Sequence, residues 1–86
     1  TRKQARQDVM AASTANADLL AALKELRLRL AKQRRVPAYA IFPDRTLIDM
    51  AERRPRSLDE FAEVNGVGAK KLAEFGAVFL KVLNAA

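Results

Sequence analysis

The chain has 86 residues, carries a net charge of +6 at pH 7 and contains neither cysteine nor histidine. This length allows one small domain, and the missing residue types exclude a disulfide framework, an ordinary zinc site and histidine-based catalysis. No apolar run approaches the roughly 20 residues of a membrane span, so we expect a cytoplasmic protein or a piece of one.

Positive charge is concentrated in one part of the sequence. Between Lys24 and Arg35 there are six basic residues and a single acid, Glu25, whereas six acids and four arginines lie between Asp44 and Glu63. A net positive charge favours a polyanionic partner. The alternative is that these charges only solvate an exposed helix face, and for charge runs in general this alternative is the commoner one.

Residues 1–16 are predicted to form a flexible linker or tail, and residues 17–86 a helical domain. The tail is polar and rich in alanine, serine and threonine, and such a segment buries too little apolar surface to fold alone. The first helix is expected over residues 19–33 with Asp18 as its cap. Its apolar stripe consists of leucines at three- and four-residue spacing: Leu19, Leu23, Leu26 and Leu30.

Two prolines, Pro37 and Pro43, interrupt the helical pattern. Because a residue before proline avoids helical geometry, we expect an extended connector or a short turn, which holds the only tyrosine, Tyr39. A second helix is predicted over residues 45–53, with Asp44 as its cap. We expect Met50 at the edge of this helix and three residues facing inward: Leu47, Ile48 and Ala51.

The last third of the chain predicts a helix, a tight turn and another helix. Ser57 and Glu60 form a capping box that begins a short helix, and Gly66 ends it because glycine accepts a positive φ. A final helix is expected over residues 69–84, in which Gly76 indicates a kink, a break or a close helix crossing. No segment alternates with a period of two, so the predicted fold class is all-α, a compact bundle of four to five short helices.

The turn Gly66-Val67-Gly68 is a candidate phosphate-binding site. Its glycines would let the backbone approach a phosphate, and the free amides of the next helix would point at it. A compact connection in which Val67 fills the core explains the same residues equally well. The secondary candidates for nucleic-acid binding are therefore Gly66, Gly68, Lys70 and Lys71.

Tyr39 and the cations near it are the primary candidates. Base stacking on an aromatic side chain contributes about 1–3 kcal/mol, and single strands are bound by combining such a platform with basic residues. Half-buried packing is the alternative for Tyr39, and helix termination is the alternative for Arg34 and Arg35. Helix geometry adds Lys24 and Arg27 to the primary set.

The ordered series of motifs resembles a known family, the helicase-and-RNase-D C-terminal (HRDC) domain. It is most similar to the version that ends bacterial RecQ DNA helicases, over about residues 18–83. Ala38 stands where the family often has a second proline. The motifs that carry the resemblance are Leu26-Arg27, Val36-Pro37-Ala38-Tyr39-Ala40-Ile41-Phe42, Asp44-Arg45-Thr46-Leu47, Pro55-Arg56-Ser57, Asn65-Gly66-Val67-Gly68, Lys71-Leu72 and Phe75-Gly76.

The resemblance implies a five-helix bundle appended to a helicase, in which Tyr39 and surrounding basic residues contact single-stranded DNA. The expected partners are single-stranded or partly duplex DNA and the helicase core of the same polypeptide. We expect a monomeric, non-catalytic domain without cofactor or metal, whose parent hydrolyses ATP through residues outside this chain. Two alternatives stay open: a protein–protein or intramolecular docking module that does not bind DNA, and the RNA-binding HRDC domain of an RNase D-like exonuclease.

Overall fold

Five α-helices form the fold in this computed structural model, which describes the backbone of residues 2–85 and the side chains of residues 16–85. No strand occurs in this part of the chain, so the predicted all-α class is confirmed. The helices are α1 (Arg2–Arg34), α2 (Ala38–Ile41), α3 (Asp44–Arg53), α4 (Leu58–Ala62) and α5 (Ala69–Ala85).

The first helix begins earlier than predicted. α1 starts at Arg2, so Asp18 lies inside the helix and does not cap it. The segment before Asp18 contains several alanines and neither glycine nor proline, a composition that helical backbone tolerates. The side chains of residues 2–15 lie outside the described part of the chain, and the flexibility of residues 1–16 stays a prediction.

The predicted leucine stripe of α1 faces the core. Leu19, Leu23 and Leu26 are buried, and Leu30 is half-buried against them, whereas Leu28 on the other side is 50% exposed. α1 ends in a Schellman motif. The amide of Arg35 (φ 57°) donates to Lys32 O at 3.3 Å, and the next amide donates to the carbonyl of Ala31 at 3.0 Å.

The connector after α1 contains a helical turn where we expected an extended segment or a short turn. α2 starts directly after Pro37, whose φ of −64° suits the position before a helix. It stops at Phe42, which is extended (φ −151°, ψ 137°), as a residue before proline should be. Both prolines therefore act as predicted, and four of the five residues between them form one helical turn.

The start and the inward face of α3 differ from the prediction. Asp44 is the first residue of the helix and makes no cap, because Pro43 occupies the N-cap position and the Asp44 carboxylate pairs with Arg27. Met50 is fully buried, whereas Ile48 is exposed. The buried residues of α3 follow helical spacing and share one face: Thr46, Leu47, Met50 and Ala51.

α4 and α5 form the predicted helix–turn–helix. The hydroxyl of Ser57 accepts from the amide of Glu60 at 3.2 Å, but the Glu60 carboxylate accepts from the amide of Arg56 rather than that of Ser57. α5 runs unbroken through Gly76, so the close crossing is the correct alternative. A Cβ at Gly76 would lie 2.9 Å from Cδ2 of Leu58.

Phe42 lies at the centre of the core. Its ring packs edge-on against Phe61 of α4 and against Phe75 and Phe79 of α5, with centroid distances of 6.2, 5.9 and 5.1 Å. All four rings are buried. Because Phe42 directly follows α2, this aromatic cluster fixes the position of α2 on the bundle.

Truncation of Phe79 should strongly destabilise the domain. Phe79→Ala removes a fully buried ring that contacts two others, and we expect the free energy of unfolding to fall by about 3–5 kcal/mol. Urea denaturation followed by circular dichroism measures this loss. Leu28→Ala is the matched control and should change stability by less than about 0.5 kcal/mol; equal losses in the two variants would contradict the assigned core.

Candidate nucleic-acid interface

Tyr39 is the most exposed large apolar side chain among the described residues. It is 72% exposed, whereas Ile41 on the same short helix is buried. The half-buried packing considered for this tyrosine is therefore not what the structure shows. An aromatic ring that stands in solvent on an anchored helix is available to stack on a base.

One face of α1 runs alongside α2 and carries basic residues at helical spacing. The face comprises Lys24, Arg27, Ala31 and Arg34, three or four residues apart. Its middle is covered, since Ala31 is buried and the Arg27 side chain is only 12% exposed. Its two ends are open, because Lys24 is exposed and the Arg34 side chain is 47% exposed.

Arg27 ties α1 to the junction between α2 and α3. Its Nη1 donates to the Phe42 carbonyl at 2.9 Å and lies 2.7 Å from Oδ1 of Asp44. The hydrogen bond and the charge of this guanidinium lower the pKa of Asp44, and Lys24 adds a smaller effect in the same direction. The structure therefore places Arg27 beneath the connector rather than on the open surface.

Arg34 and Arg35 differ in their surroundings. Nη1 of Arg34 is 3.0 Å from Oε2 of Glu74, and its guanidinium carbon lies 4.6 Å from the centroid of the Phe75 ring. Arg35 is exposed and has no ion pair within residues 16–85. Its backbone ends α1 while its side chain is directed to solvent, so helix termination and ligand contact are compatible at this position.

Lys71 connects the two regions predicted as separate sites. Its Nζ donates to the carbonyl of Ala40, the residue after Tyr39, and lies 5.5 Å from the centroid of Phe75. Arg34 approaches the same ring. We use the name tyrosine patch for the surface formed by Tyr39, Arg34, Arg35 and Lys71.

The glycine turn offers a second, smaller opening. Gly66 has a φ of 90° and packs against α3, where an added Cβ would lie 2.4 Å from Oγ1 of Thr46. No atom lies within 4 Å of the position that a Cβ would take at Gly68, and Lys70 is exposed. Packing thus explains Gly66, whereas Gly68 and Lys70 lie at the open N-terminus of α5.

Glu74 and Phe75 belong to the site, although no local pattern indicates it. Phe75 is a buried core residue, and nothing in its local sequence connects it with Arg34. With Lys71, these residues occupy positions i, i+3 and i+4 of α5 and therefore share one face. Their role depends on Arg34 reaching that face, which only the tertiary packing reveals.

Within residues 16–85, no group of three or more acidic, histidine or cysteine side chains is placed to hold a metal ion. None of the described helices is long and apolar enough to cross a membrane.

The fold and the motifs together define an HRDC domain. The family model of the HRDC domain matches residues 16–83, and this chain belongs to that family. The solved structure "D. radiodurans RecQ HRDC domain 3" is 43% identical and superimposes with a TM-score of 0.79, covering 81% of this chain and 92% of that one. The predicted family is therefore confirmed.

Several full-length relatives are named ATP-dependent DNA helicases. RecQ of Pasteurella multocida is 39% identical over 77% of this chain, and RecQ of Bacillus subtilis is 36% identical over 87%. The helicase named UvrD2 from Mycobacterium tuberculosis is 39% identical over 84%. The chain spans only 10–13% of the length of these relatives, so the similarity concerns an accessory domain.

Replacing Asp44 tests the ion pair beneath the connector. The pKa of Asp44 is lowered in the folded state, so the pair stabilises the fold above the ordinary pKa of about 3.9 and loses its effect as the pH falls through the lower folded value. At pH 7 we expect Asp44→Asn to melt below the wild type. The difference in Tm should shrink as the pH is lowered from about 5 to about 2.

Glu25→Gln is the control for this experiment. Glu25 is an exposed acid on α1 without an ion pair among the described residues. The difference in Tm between Glu25→Gln and the wild type should not shrink in this way as the pH is lowered. A difference for Asp44→Asn that stays constant down to about pH 2 would contradict the role assigned to the Arg27–Asp44 pair.

Proposed function

We propose that this chain is a single-strand DNA-binding accessory domain of a RecQ-like ATP-dependent DNA helicase. The observation that carries the proposal is an exposed tyrosine on a short helix, with two exposed arginines four and five residues before it at the end of α1. A stacking platform next to cations is the arrangement by which proteins bind single strands without reading their sequence. Membership in the HRDC family and the names of the helicase relatives support the same function.

The residues of the proposed site have different roles. Tyr39 stacks on a base. Arg35, which has no ion pair within residues 16–85, contacts a phosphate. Glu74 and Phe75 cover part of the Arg34 guanidinium, and the part that stays exposed contacts the DNA. Lys24 lies ten residues before Arg34, about 15 Å along α1 at 1.5 Å per residue, and extends the positive surface past the connector. Arg27 supports the site from below through Phe42 and Asp44.

Binding by such a surface should be weak and electrostatic. With three to five phosphates neutralised, each contributing about −0.7, the logarithm of the affinity should fall with the logarithm of salt concentration with a slope of roughly −2 to −3.5. The domain would then tune which DNA structures a helicase engages, while the parent protein provides most of the affinity.

The parent protein itself is part of the proposal. Helicases named RecQ and a helicase named UvrD2 match this chain with similar identity. We favour a RecQ-like parent because a solved structure that matches this chain at 43% identity is a RecQ HRDC domain. The open glycine turn at Gly68 and Lys70 is a secondary DNA contact in this scheme.

Docking of the acidic region on another domain is less well supported. Of the six acids between Asp44 and Glu63, three are engaged within the domain. Asp44 pairs with Arg27, Asp49 pairs with Arg53 and accepts from the amide of Asn65, and the Glu60 carboxylate accepts from the amide of Arg56. The negative charge left for docking is that of three carboxylates, Glu52, Asp59 and Glu63. This is less than the composition indicates.

Removal of the Tyr39 ring tests the proposed function. Loss of about 1–3 kcal/mol of stacking should weaken binding of Tyr39→Ala to a labelled oligothymidine by about 5- to 150-fold, measured by fluorescence anisotropy at low salt. Thermal stability should barely change because the side chain is exposed. Binding equal to that of the wild type would contradict the stacking role.

Two matched variants complete this experiment. Tyr39→Phe keeps the ring and should bind like the wild type. Ile48→Ala removes an exposed apolar side chain from α3, away from the tyrosine patch, and should leave binding unchanged. Tighter binding of oligouridine than of oligothymidine would favour the RNA-binding alternative.

A further inference from the structure

We infer that Lys71 positions Tyr39 instead of contacting phosphate directly. The inference rests on the proposed function and assigns Lys71, one of the cations of the tyrosine patch, a structural role. Lys71 lies on α5 and Tyr39 on α2, 32 residues apart in sequence. The link between them is the hydrogen bond from Nζ of Lys71 to the carbonyl of Ala40.

α2 needs such support because it is only four residues long. A helix of one turn cannot maintain itself, since helix nucleation is unfavourable and isolated short helices are marginal in water. The last carbonyls of a helix also lack partners within the helix. A lysine at a helix C-terminus satisfies such a carbonyl and interacts favourably with the negative end of the helix dipole.

α2 is held at its C-terminal end from two sides. Lys71 of α5 donates to the carbonyl of Ala40, and Arg27 of α1 donates to the carbonyl of Phe42. Between these two carbonyls lies Ile41, which is buried. Tyr39 directly precedes this clamped segment, so the direction of its ring depends on both cations.

The surroundings of Lys71 favour support over phosphate contact. Its side chain is half-buried, and its ammonium lies close to the Phe75 ring as well as to the Ala40 carbonyl. Lys70, the preceding residue, is exposed and has no contact of this kind among the described residues. The two neighbouring lysines therefore form a matched pair with the same charge and different surroundings.

The test compares Lys71→Met with Lys70→Met in the 15N-labelled domain and in oligothymidine titrations. Methionine keeps the unbranched apolar stem and removes the donor and the charge. In the free protein, we expect Lys71→Met to shift the amide signals of residues 38–42 and to speed their hydrogen exchange. Lys70→Met should leave these signals unchanged.

The DNA titrations separate positioning from contact. Lys71→Met should weaken binding about five- to tenfold, the effect of one net hydrogen bond, with the slope of the salt dependence unchanged. A lost phosphate contact would instead make the slope shallower by about 0.7. Lys71→Arg keeps a donor at this position and should recover part of the affinity.

Two results would overturn the inference. One is a shallower salt slope for Lys71→Met with unchanged signals for residues 38–42, which would make Lys71 a phosphate contact. The other is a Lys71→Met variant whose DNA binding and hydrogen exchange both equal those of the wild type. If the wild type does not bind DNA while Lys71→Met still loosens α2, the proposed function fails and the support of α2 by Lys71 stands.

Discussion

Burial of Phe42 is the constraint on which the arrangement of this domain depends. Its ring fills the space between α4 and α5 and contacts three other phenylalanines. Burying such a side chain contributes about 1.5–3 kcal/mol, and each edge-on aromatic pair adds about 0.5–1.5 kcal/mol. Because Phe42 belongs to the connector and not to a long helix, its burial fixes α2 on the bundle and leaves Tyr39 in solvent.

The backbone around Phe42 is held by cations whose side chains would otherwise add to the positive surface. Arg27 and Lys71 donate to carbonyls of the connector, and Arg34 lies against Phe75 beside Glu74. These partly covered cations stabilise the packing of the domain and contribute less to the charge of its surface. The freely exposed charge of the patch is therefore smaller than the sequence indicates, which agrees with the weak, salt-sensitive DNA binding that we propose.

Four features could be predicted because each is encoded in neighbouring residues: the helical class, the family, the leucine stripe of α1 and the glycine turn. Leucine spacing, the Ser57 cap and the positive φ of Gly66 are of this kind. The roles of Asp44, Arg27 and Lys71 could not be predicted, since each depends on a partner 17 or more residues away or on another helix. The burial of Met50 was missed because the packing of α3 against the other helices decides which of its sides faces the core.

Titration of the 15N-labelled domain with a short oligothymidine at low salt is the most direct test of DNA binding by the tyrosine patch. We expect shifts clustered on Arg34, Arg35, Tyr39 and the end of α1, with little change across α4. Shifts centred on residues 66–70 would contradict it by moving the site to the glycine turn. An absence of shifts would contradict DNA binding altogether and favour the docking alternative.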